Sequence, residues 1–425
     1  MNKILLVLLV TAHSALGGVR NDTSEYAPAS ELVELLQEAA ESNPTIQAAY
    51  LEIQRSRSRT TQASSLADPE LSYMREEMPG FRVSEAMMEK VELMQMVRFP
   101  AKLSIQGDLA DLQVRSAMQR HRETVIDILT RVKVAFYGLW DVQQRILLNH
   151  EHEMLIRQFI RIAQQRYAVG MATQSEVLMA QVELAGLLNE QTLLQGTEEG
   201  VKRRLMALLN RQSGDTLATV RLSEIPDEIV SLDSLLLFAG HFHPTLLDDS
   251  LHVVEQQARL TLARQEYFPD FRVGLQYKRF PQRGADGWGI AVGITLPFAP
   301  WTLGNTAAGV EEAAAGVEQS ERRLRSSRND ILAEVRNLHA AVQSARQQLR
   351  LFQSDILPQA NQALQATLSE YQTNKADFLR LIDAYRTVVS LNRDQTMTRT
   401  RFEQMRSELE QAVGYADIAT LNDWR

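Results

Sequence analysis

Apolar side chains recur at helical spacing along most of the chain, in long stretches with little glycine or proline. The helix-like stretches are residues 44–66, 102–166 and 174–209 in the first half and residues 244–266, 305–370 and 377–413 in the second. Pro44 and Pro244 stand at the first helical position, which tolerates proline best, and Pro358 is the only proline inside the longest stretches. Each long helix would measure about 100 Å, and the two shorter helices of each half, placed end to end, about 90 Å. The pattern therefore predicts a rod of antiparallel helices.

The second half of the chain repeats the first. Pro44 and Pro244 both occur in an X-Pro-Thr tripeptide, and each is followed 25 residues later by another proline. Tyr167 then corresponds to Tyr371 at an offset of 204. A period this long indicates a duplicated domain and not a stacked array of short repeats. The predicted organisation is an N-terminal segment at 18–42, a first copy at 43–210, an equatorial linker at 211–242, a second copy at 243–414 and a tail at 415–425.

Each copy also contains a β-like region, at about 69–98 and 269–298, where apolar and polar residues alternate. In the second copy, the runs 270–278 and 288–298 have the length of a tilted strand that crosses a membrane. The residues predicted to face lipid are Phe271, Val273, Leu275, Tyr277, Trp288, Ile290, Val292, Ile294 and Leu296. The opposite face is polar or small, which suits a water-filled lumen. A hairpin in water with one buried face is the alternative explanation of the same alternation.

Four strands in one chain are too few to close a barrel, whereas three chains would supply twelve. The predicted fold is therefore mainly α with a small β part. It consists of a long antiparallel α-helical barrel and four membrane β-strands per chain, which close a twelve-stranded β-barrel when three chains associate.

The first seventeen residues have the pattern of an export signal. Lys3 supplies a positive charge, residues 4–10 are apolar, and residues 15–17 (Ala-Leu-Gly) offer small side chains at a cleavage site. A buried N-terminal helix is the alternative. No other stretch has the ~18–20 consecutive apolar residues that a membrane-spanning helix needs.

Composition excludes several classes of function. Asp and Glu total 53 against 45 Lys and Arg, for a net charge of −8, so nucleic acid is not an expected partner. The absence of cysteine removes disulfides and thiolate metal sites. We find no P-loop, nucleophile elbow, HExxH motif or glycine-rich dinucleotide turn. We therefore predict neither enzymatic activity nor a cofactor.

The methionines and histidines of the sequence give only weak evidence for a metal site. Six of the 14 methionines lie between residues 74 and 96, and thioethers suit Cu(I), but ligands at the predicted outer end of the barrel would retard exit. His150 and His152 are two residues apart on a helix and point in different directions. His241 and His243 have only Asp248 nearby as a carboxylate. Packing or a flexible loop is the preferred role for the methionine segment, and no metal site is predicted for it or for the histidines.

Six motifs, three in each copy, resemble those of the TolC-type outer-membrane efflux proteins. They are the helix starts NPTIQAAYLEIQRSRS and HPTLLDDSLHVVEQQA, the strand entries ADPELSY and YFPDFRVGLQY, and the turn motifs YAVGMATQSEVLMAQ and YQTNKADFLRLIDAY. The resemblance covers about residues 30–414. The segment MEKVELMQMVRFPAKLS is also similar to family members that serve heavy-metal pumps, the CzcC/CusC-like branch.

This resemblance implies a homotrimer whose barrel lies in the lipid of the outer membrane and whose helical tunnel extends into the periplasm. The tunnel would meet a periplasmic adaptor protein and an inner-membrane efflux pump. The implied function is that of a passive exit duct of a tripartite efflux system, of RND type and for heavy-metal cations. The exit duct of a drug efflux or type I protein secretion system is one alternative, and an exported soluble coiled-coil adaptor is another.

The turns that join the long and return helices carry the candidate functional residues. Asp377, Arg380 and Asp383 lie on one stripe of the last helix, where three chains would bring them together as rings that select cations. The resemblance matches Asp383 to the inner constriction aspartate of the family, whereas Arg380 replaces a residue that is often acidic there. Ordinary surface ion pairs are the alternative. The residues predicted to dock the adaptor are Tyr167, Gly170, Thr173, Glu176, Tyr371, Asn374 and Lys375.

Overall fold

The computed structural model describes residues 30–76, 88–212, 220, 222, 230–280 and 284–415. The predicted export signal and nearly all of the tail lie outside these residues, as does much of the linker. Within the described ranges, no helix is both long enough and apolar enough to cross a membrane.

The chain forms nine α-helices and four strands in its described part. The elements of the first half are α1 (Ser30–Ser42), α2 (Pro44–Ala63), β1 (Glu70–Glu76), β2 (Met88–Val97), α3 (Pro100–Ala168) and α4 (Gln174–Leu208). Those of the second half are α5 (Leu232–Phe242), α6 (Pro244–Gln265), β3 (Phe271–Phe280), β4 (Ala285–Ile294), α7 (Leu303–Leu351), α8 (Leu357–Gln372) and α9 (Phe378–Val413). The mainly α fold with a small β part is confirmed.

Helices α1 and α5 occupy equivalent places, each immediately before a proline-started helix. Helix α1 lies in the predicted N-terminal segment, and α5 lies in the predicted linker. Leu32 and Ala39 of α1 pack against α3, while Leu235 and Ala239 of α5 pack in a core with α7 and α9. The repeated unit therefore begins earlier in each half than the X-Pro-Thr tripeptide indicates.

The short helices of each half meet end to end, as their lengths predict. In the first half, the Asn43 side chain donates to the Leu208 carbonyl at 2.7 Å, and the Ser42 hydroxyl donates to the Leu209 carbonyl at 2.7 Å. In the second half, Gly414 ends α9 with φ 81° against the start of α6. A Cβ at Gly414 would lie only 2.9 Å from the Cα of His243, so this junction requires glycine.

The two long helices differ between the halves. Helix α3 is continuous over 69 residues, or about 104 Å. Its counterpart widens into a π-helical turn at Phe352–Ile356, between α7 and α8. Pro358 explains the turn, because its ring nitrogen has no hydrogen to donate to the carbonyl four residues earlier. The structure accommodates the proline without breaking the helix.

The strands form one antiparallel sheet in the order β1-β2-β3-β4. One cross-strand row runs Leu71, Leu93, Leu275 and Ile290. Strand β4 ends at Ile294, so the prediction that Leu296 lies in a strand is wrong. Pro297 follows Leu296 and cannot donate to a ladder, which explains the early end.

Buried residues form three clusters along the rod. The cluster nearest the α3–α4 and α8–α9 turns contains Phe159, Leu364 and Tyr385, and therefore joins both copies. Farther along, a buried ion pair between Lys133 of α3 and Glu410 of α9 also connects the copies. The two halves thus pack as one body at several levels.

Candidate functional site

The α3–α4 and α8–α9 turns lie together at the end of the rod farthest from the sheet, here called the tip. Gly170 and Asn374 both adopt positive φ, at 75° and 61°, a region that glycine and asparagine tolerate best. Thr173 caps α4 in a reciprocal capping box with Glu176. Asp377 caps α9 by accepting from the Arg380 amide at 3.0 Å.

Arg166, in the last turn of α3, connects the two turns. Its guanidinium donates to the Tyr371 carbonyl and, at 2.7 Å, to Oδ1 of Asn374. It also lies 4.4 Å from the centre of the Tyr371 ring, close enough for a cation–π contact. The sequence comparison of the copies missed Arg166 because nothing equivalent marks it in the second copy. A basic residue in the last helical turn was the available signal.

Tyr371 completes a chain of contacts from Arg166 to the α4 cap. Its hydroxyl donates to Oε2 of Glu176 at 2.8 Å. Burial raises the pKa of Tyr371, and the Glu176 carboxylate raises it further. The phenol therefore remains protonated at physiological pH, and it continues to donate this hydrogen bond.

A second link between the copies lies about two turns farther from the tip. Arg386 of α9 forms an ion pair with Glu183 of α4, and this contact raises the pKa of Arg386. Tyr385 is buried beside it and donates to the His152 carbonyl at 3.3 Å. Burial, and then the Glu183 charge, raise the pKa of Tyr385. Neither Arg386 nor Glu183 was among the predicted site residues.

Asp377, Arg380 and Asp383 are all exposed, on the side of α9 opposite its buried face. Among the described residues, Arg380 forms no ion pair with either aspartate. One Asp377 oxygen is engaged in the helix cap. The Asp383 carboxylate is exposed, with the Arg386 charge nearby.

The remaining predicted tip residues, Tyr167 and Lys375, are exposed. Two apolar side chains next to Gly170 were not predicted: Val169 and Met171 are 67% and 64% exposed. Apolar residues at the end of a helical hairpin normally pack inward. In the single chain these two instead form exposed apolar surface at the tip.

The sheet presents one apolar face and one face of mostly polar or small side chains, which also carries four methionines. The row Leu71, Leu93, Leu275 and Ile290 lies on the apolar face, where Ile290 is 76% exposed and Leu71 72%. The other face carries small residues and a Lys90–Glu92 ion pair at 2.7 Å. All the predicted lipid-facing residues of β3 and β4 share the apolar face: Phe271, Val273, Leu275, Tyr277, Trp288, Ile290, Val292 and Ile294.

A row of charges ends the apolar face on the side away from the helices. It comprises Arg75, Glu89, Arg279 and Asp286, one from each strand. Arg75 contacts Glu89 at 2.8 Å, and Arg279 approaches Glu89 at 3.9 Å. Glu89 thus lies between two arginines of neighbouring strands, whereas Asp286 accepts a hydrogen bond from the Tyr277 hydroxyl at 2.8 Å.

No group of three histidine, aspartate or glutamate residues suited to a metal ion occurs in the described residues. His150 is exposed whereas His152 is buried, so the two point in different directions. Of the six clustered methionines, Met78 and Met87 lie outside the described residues. Met74, Met88, Met94 and Met96 lie on the polar face of the sheet.

Paired helices of about 100 Å, joined to an antiparallel sheet with an exposed apolar face, are typical of a channel subunit of an outer membrane. Residues 242–415 match the family model described as outer membrane efflux protein. The cobalt-zinc-cadmium resistance protein CzcC of Cupriavidus metallidurans is 25% identical over 354 residues, covering 82% of each chain. Outer membrane protein TolC of Vibrio cholerae is 20% identical, covering 97% of this chain and 95% of the other.

The fold agrees with these sequence similarities. The outer-membrane channel OprN has a TM-score of 0.78 at 14% identity, covering 95% of this chain and 99% of that one. The second half of the chain thus matches the outer membrane efflux protein family, and nearly the whole chain is similar to outer membrane protein TolC. The resemblance to TolC-type proteins is thereby confirmed.

Proposed function

We propose that three copies of this chain form the exit duct of a tripartite efflux system. The observation that carries the proposal is the sheet: its apolar face is exposed, and the outer edges of β1 and β4 are unpaired among the residues that the structure describes. Unpaired backbone groups are too costly in lipid. Twelve strands from three chains would satisfy them and surround a lumen lined by the polar or small face.

At the other end of the rod, the tip would dock a periplasmic adaptor and, through it, an inner-membrane pump of RND type. The rigid turns support this role, because Arg166 and the Tyr371–Glu176 bond hold both turns in one arrangement. The exposed residues Val169, Met171 and Lys375 would then be available to the adaptor.

The gate would lie on α9. Three copies of Asp383 around an axis would form a carboxylate ring that attracts cations and repels anions. Arg380, three residues earlier, would place a positive ring beside it. The exposure of both side chains, without an ion pair between them, supports this arrangement.

Heavy-metal cations are the substrate class that we propose. The support is the similarity to CzcC, which is a cobalt-zinc-cadmium resistance protein, together with the exposed carboxylates of Asp377 and Asp383 on α9. A drug or protein cargo remains the competing proposal, because TolC is similar over nearly the whole chain.

Four measurements test the proposal. The purified protein should sediment as a trimer in mild detergent, should leave membranes with detergent and not with salt, and should form cation-selective channels in planar bilayers. Deleting the gene should raise cellular Co²⁺, Zn²⁺ and Cd²⁺ without raising the accumulation of a drug panel. A monomer released by salt would refute the duct, whereas accumulation of drugs alone would refute only the metal substrate.

A further inference from the structure

A half-open groove lies where the sheet joins the helices. It has a volume of about 400 Å³ and lies between the end of α2, the end of β2 and the first two turns of α3. Its apolar walls come from Leu66, Val97, Pro100 and Leu103, and Gly107 forms part of its floor. A Cβ at Gly107 would lie 3.9 Å from that of Ser64, an ordinary contact distance, so a larger side chain at this position would extend into the groove.

The sheet register places this groove at one boundary of the apolar face. Val97 pairs with Phe271, which pairs with Ile294 at the helix-side end of the face. The charged row at Glu89 marks the other end, eight residues along β2 from Val97. That distance is about 26 Å along the strand, and about 20 Å across the membrane for a tilted strand, close to the height of the apolar band of an outer-membrane barrel.

Exposed apolar side chains at the same end of the sheet agree with a membrane boundary. Trp301, just after β4, is 85% exposed, and Phe298 is 55% exposed. Tryptophan is enriched at the level of lipid headgroups, where its ring meets both water and hydrocarbon. The groove mouth therefore lies at the headgroup level on the helix side.

The charges at this level favour an anionic headgroup. Arg98 lines the groove and donates to Gln106 at 2.7 Å, but no carboxylate pairs with it among the described residues. The neighbouring cation, Lys102, is buried and already neutralised by Glu266 at 3.0 Å and Asp270 at 3.2 Å. Arg98 therefore retains donors for a phosphate, which a guanidinium binds well.

We propose that this groove binds one phospholipid of the inner leaflet, with an acyl chain along the apolar walls and the phosphate on Arg98. The inference rests on the proposed function, since it requires the sheet to lie in the outer membrane. The features that support it are the apolar lining, the continuity with the apolar face and the unpaired guanidinium at the mouth.

The test is native mass spectrometry of the detergent-purified protein after reconstitution in vesicles of phosphatidylethanolamine and phosphatidylglycerol. We expect about one retained phospholipid per chain. Arg98→Gln should lower the retention severalfold by removing the charge, and Gly107→Leu should abolish it by filling the groove. Arg325→Gln is the matched control, because Arg325 is exposed on α7, about 33 Å along that helix from its start near the sheet.

Equal lipid retention in Arg98→Gln, Gly107→Leu and the unmodified protein would overturn the inference. So would cross-linking of a cysteine at Leu66 to a second copy, which would show that a neighbouring chain covers the groove. Oligomeric state and channel conductance, measured on the same samples, separate the two proposals. A conducting trimer without retained lipid refutes the groove alone, whereas a protein that neither trimerises nor inserts refutes the duct as well.

Discussion

Arginine placed in the middle of the apolar face should prevent stable assembly, whereas arginine near its edge should not. Ile290 lies midway along β4 between Asp286, in the charged row, and Ile294, in the last row of the face. Its side chain is 76% exposed in the single chain and makes few contacts that a substitution could disturb. The effect of Ile290→Arg should therefore report the surroundings of the face and not the packing within the chain.

The expected loss of stability depends on how deep in the bilayer the new arginine lies. Arginine on the lipid face costs about 2–4 kcal/mol near the bilayer midplane and about 0–1 kcal/mol near the interface. Ile290→Arg introduces that cost in each of three chains, so the trimer should lose about 6–12 kcal/mol. Ile294→Arg should cost the trimer about 3 kcal/mol at most.

The assay is urea titration of the protein folded into lipid vesicles, with the fraction of trimer measured by electrophoresis without heating. Ala291→Arg is the matched control, because it places the same side chain one position along, on the opposite face. Ala291 pairs with Gly274, where a Cβ would lie 3.5 Å from Oε1 of Glu92. The substituted side chain would face the proposed water-filled lumen and not lipid, so Ala291→Arg should assemble normally and alter conductance instead.

Similar losses in Ile290→Arg and Ala291→Arg would mean that the two faces have the same surroundings, and the lipid assignment would have to be abandoned. Similar losses at Ile290 and Ile294 would contradict the position of the membrane along the strands.

Three further predictions concern the tip and the junction of the copies. Asp383→Asn should lower cation selectivity in planar bilayers, whereas Asp394→Asn, farther along α9, should not. Tyr371→Phe removes a partly buried hydrogen bond to a carboxylate worth about 1.5–3 kcal/mol, so the Asn374 amide should exchange its hydrogen at least about tenfold faster. Burial lowers the pKa of His243 to about 4 from its ordinary 6.5, so acid should destabilise the fold by up to about 3 kcal/mol between those pH values.

Each of these predictions has its own contrary outcome. Equal selectivity in the two aspartate variants would assign selectivity to the whole tunnel. Unchanged exchange in Tyr371→Phe would show that Arg166 alone holds the turn. Between pH 6.5 and 4, His243 binds a proton in the unfolded chain but not in the folded one. His243→Asn should therefore reduce the fall in the free energy of unfolding with acid. Asn43 caps the equivalent helix of the first copy, so asparagine should keep the cap; an unaltered pH profile would exclude His243 as its source.

Much of the fold follows from features that are local in the sequence. Pro44 and Pro244 mark helix starts because a missing amide hydrogen costs nothing there. The alternation in β3 predicts a strand correctly because successive residues of a strand point to opposite faces, and the apolar residues of β3 all lie on one exposed face. The end of β4 was placed too late because Leu296 continues the alternation, while Pro297 removes the donor that another rung would need.

The contacts between the copies could not be predicted in the same way. Arg166 and Tyr371 lie 205 residues apart, and only the packing of α3 beside α8 and α9 brings them together. Arg386 and Glu183 are likewise joined by tertiary structure. The spacing of residues along a helix does not reveal which distant residue a charged side chain will contact. The sequence therefore predicted the turns but not the bonds that connect them.

The end-to-end junctions of the short helices have a consequence for how the rod can change in length. Helix α3 is lined by α2 and α4 together, and Asn43 contacts Leu208 where they meet. Inserting seven residues into α3 alone would lengthen one side by about 10 Å and leave its new apolar positions without partners. Homologues with a longer reach should therefore carry insertions of equal size in both helical columns of both copies. The distance from sheet to tip is fixed by four stretches of sequence jointly, and an insertion at any single site cannot change it.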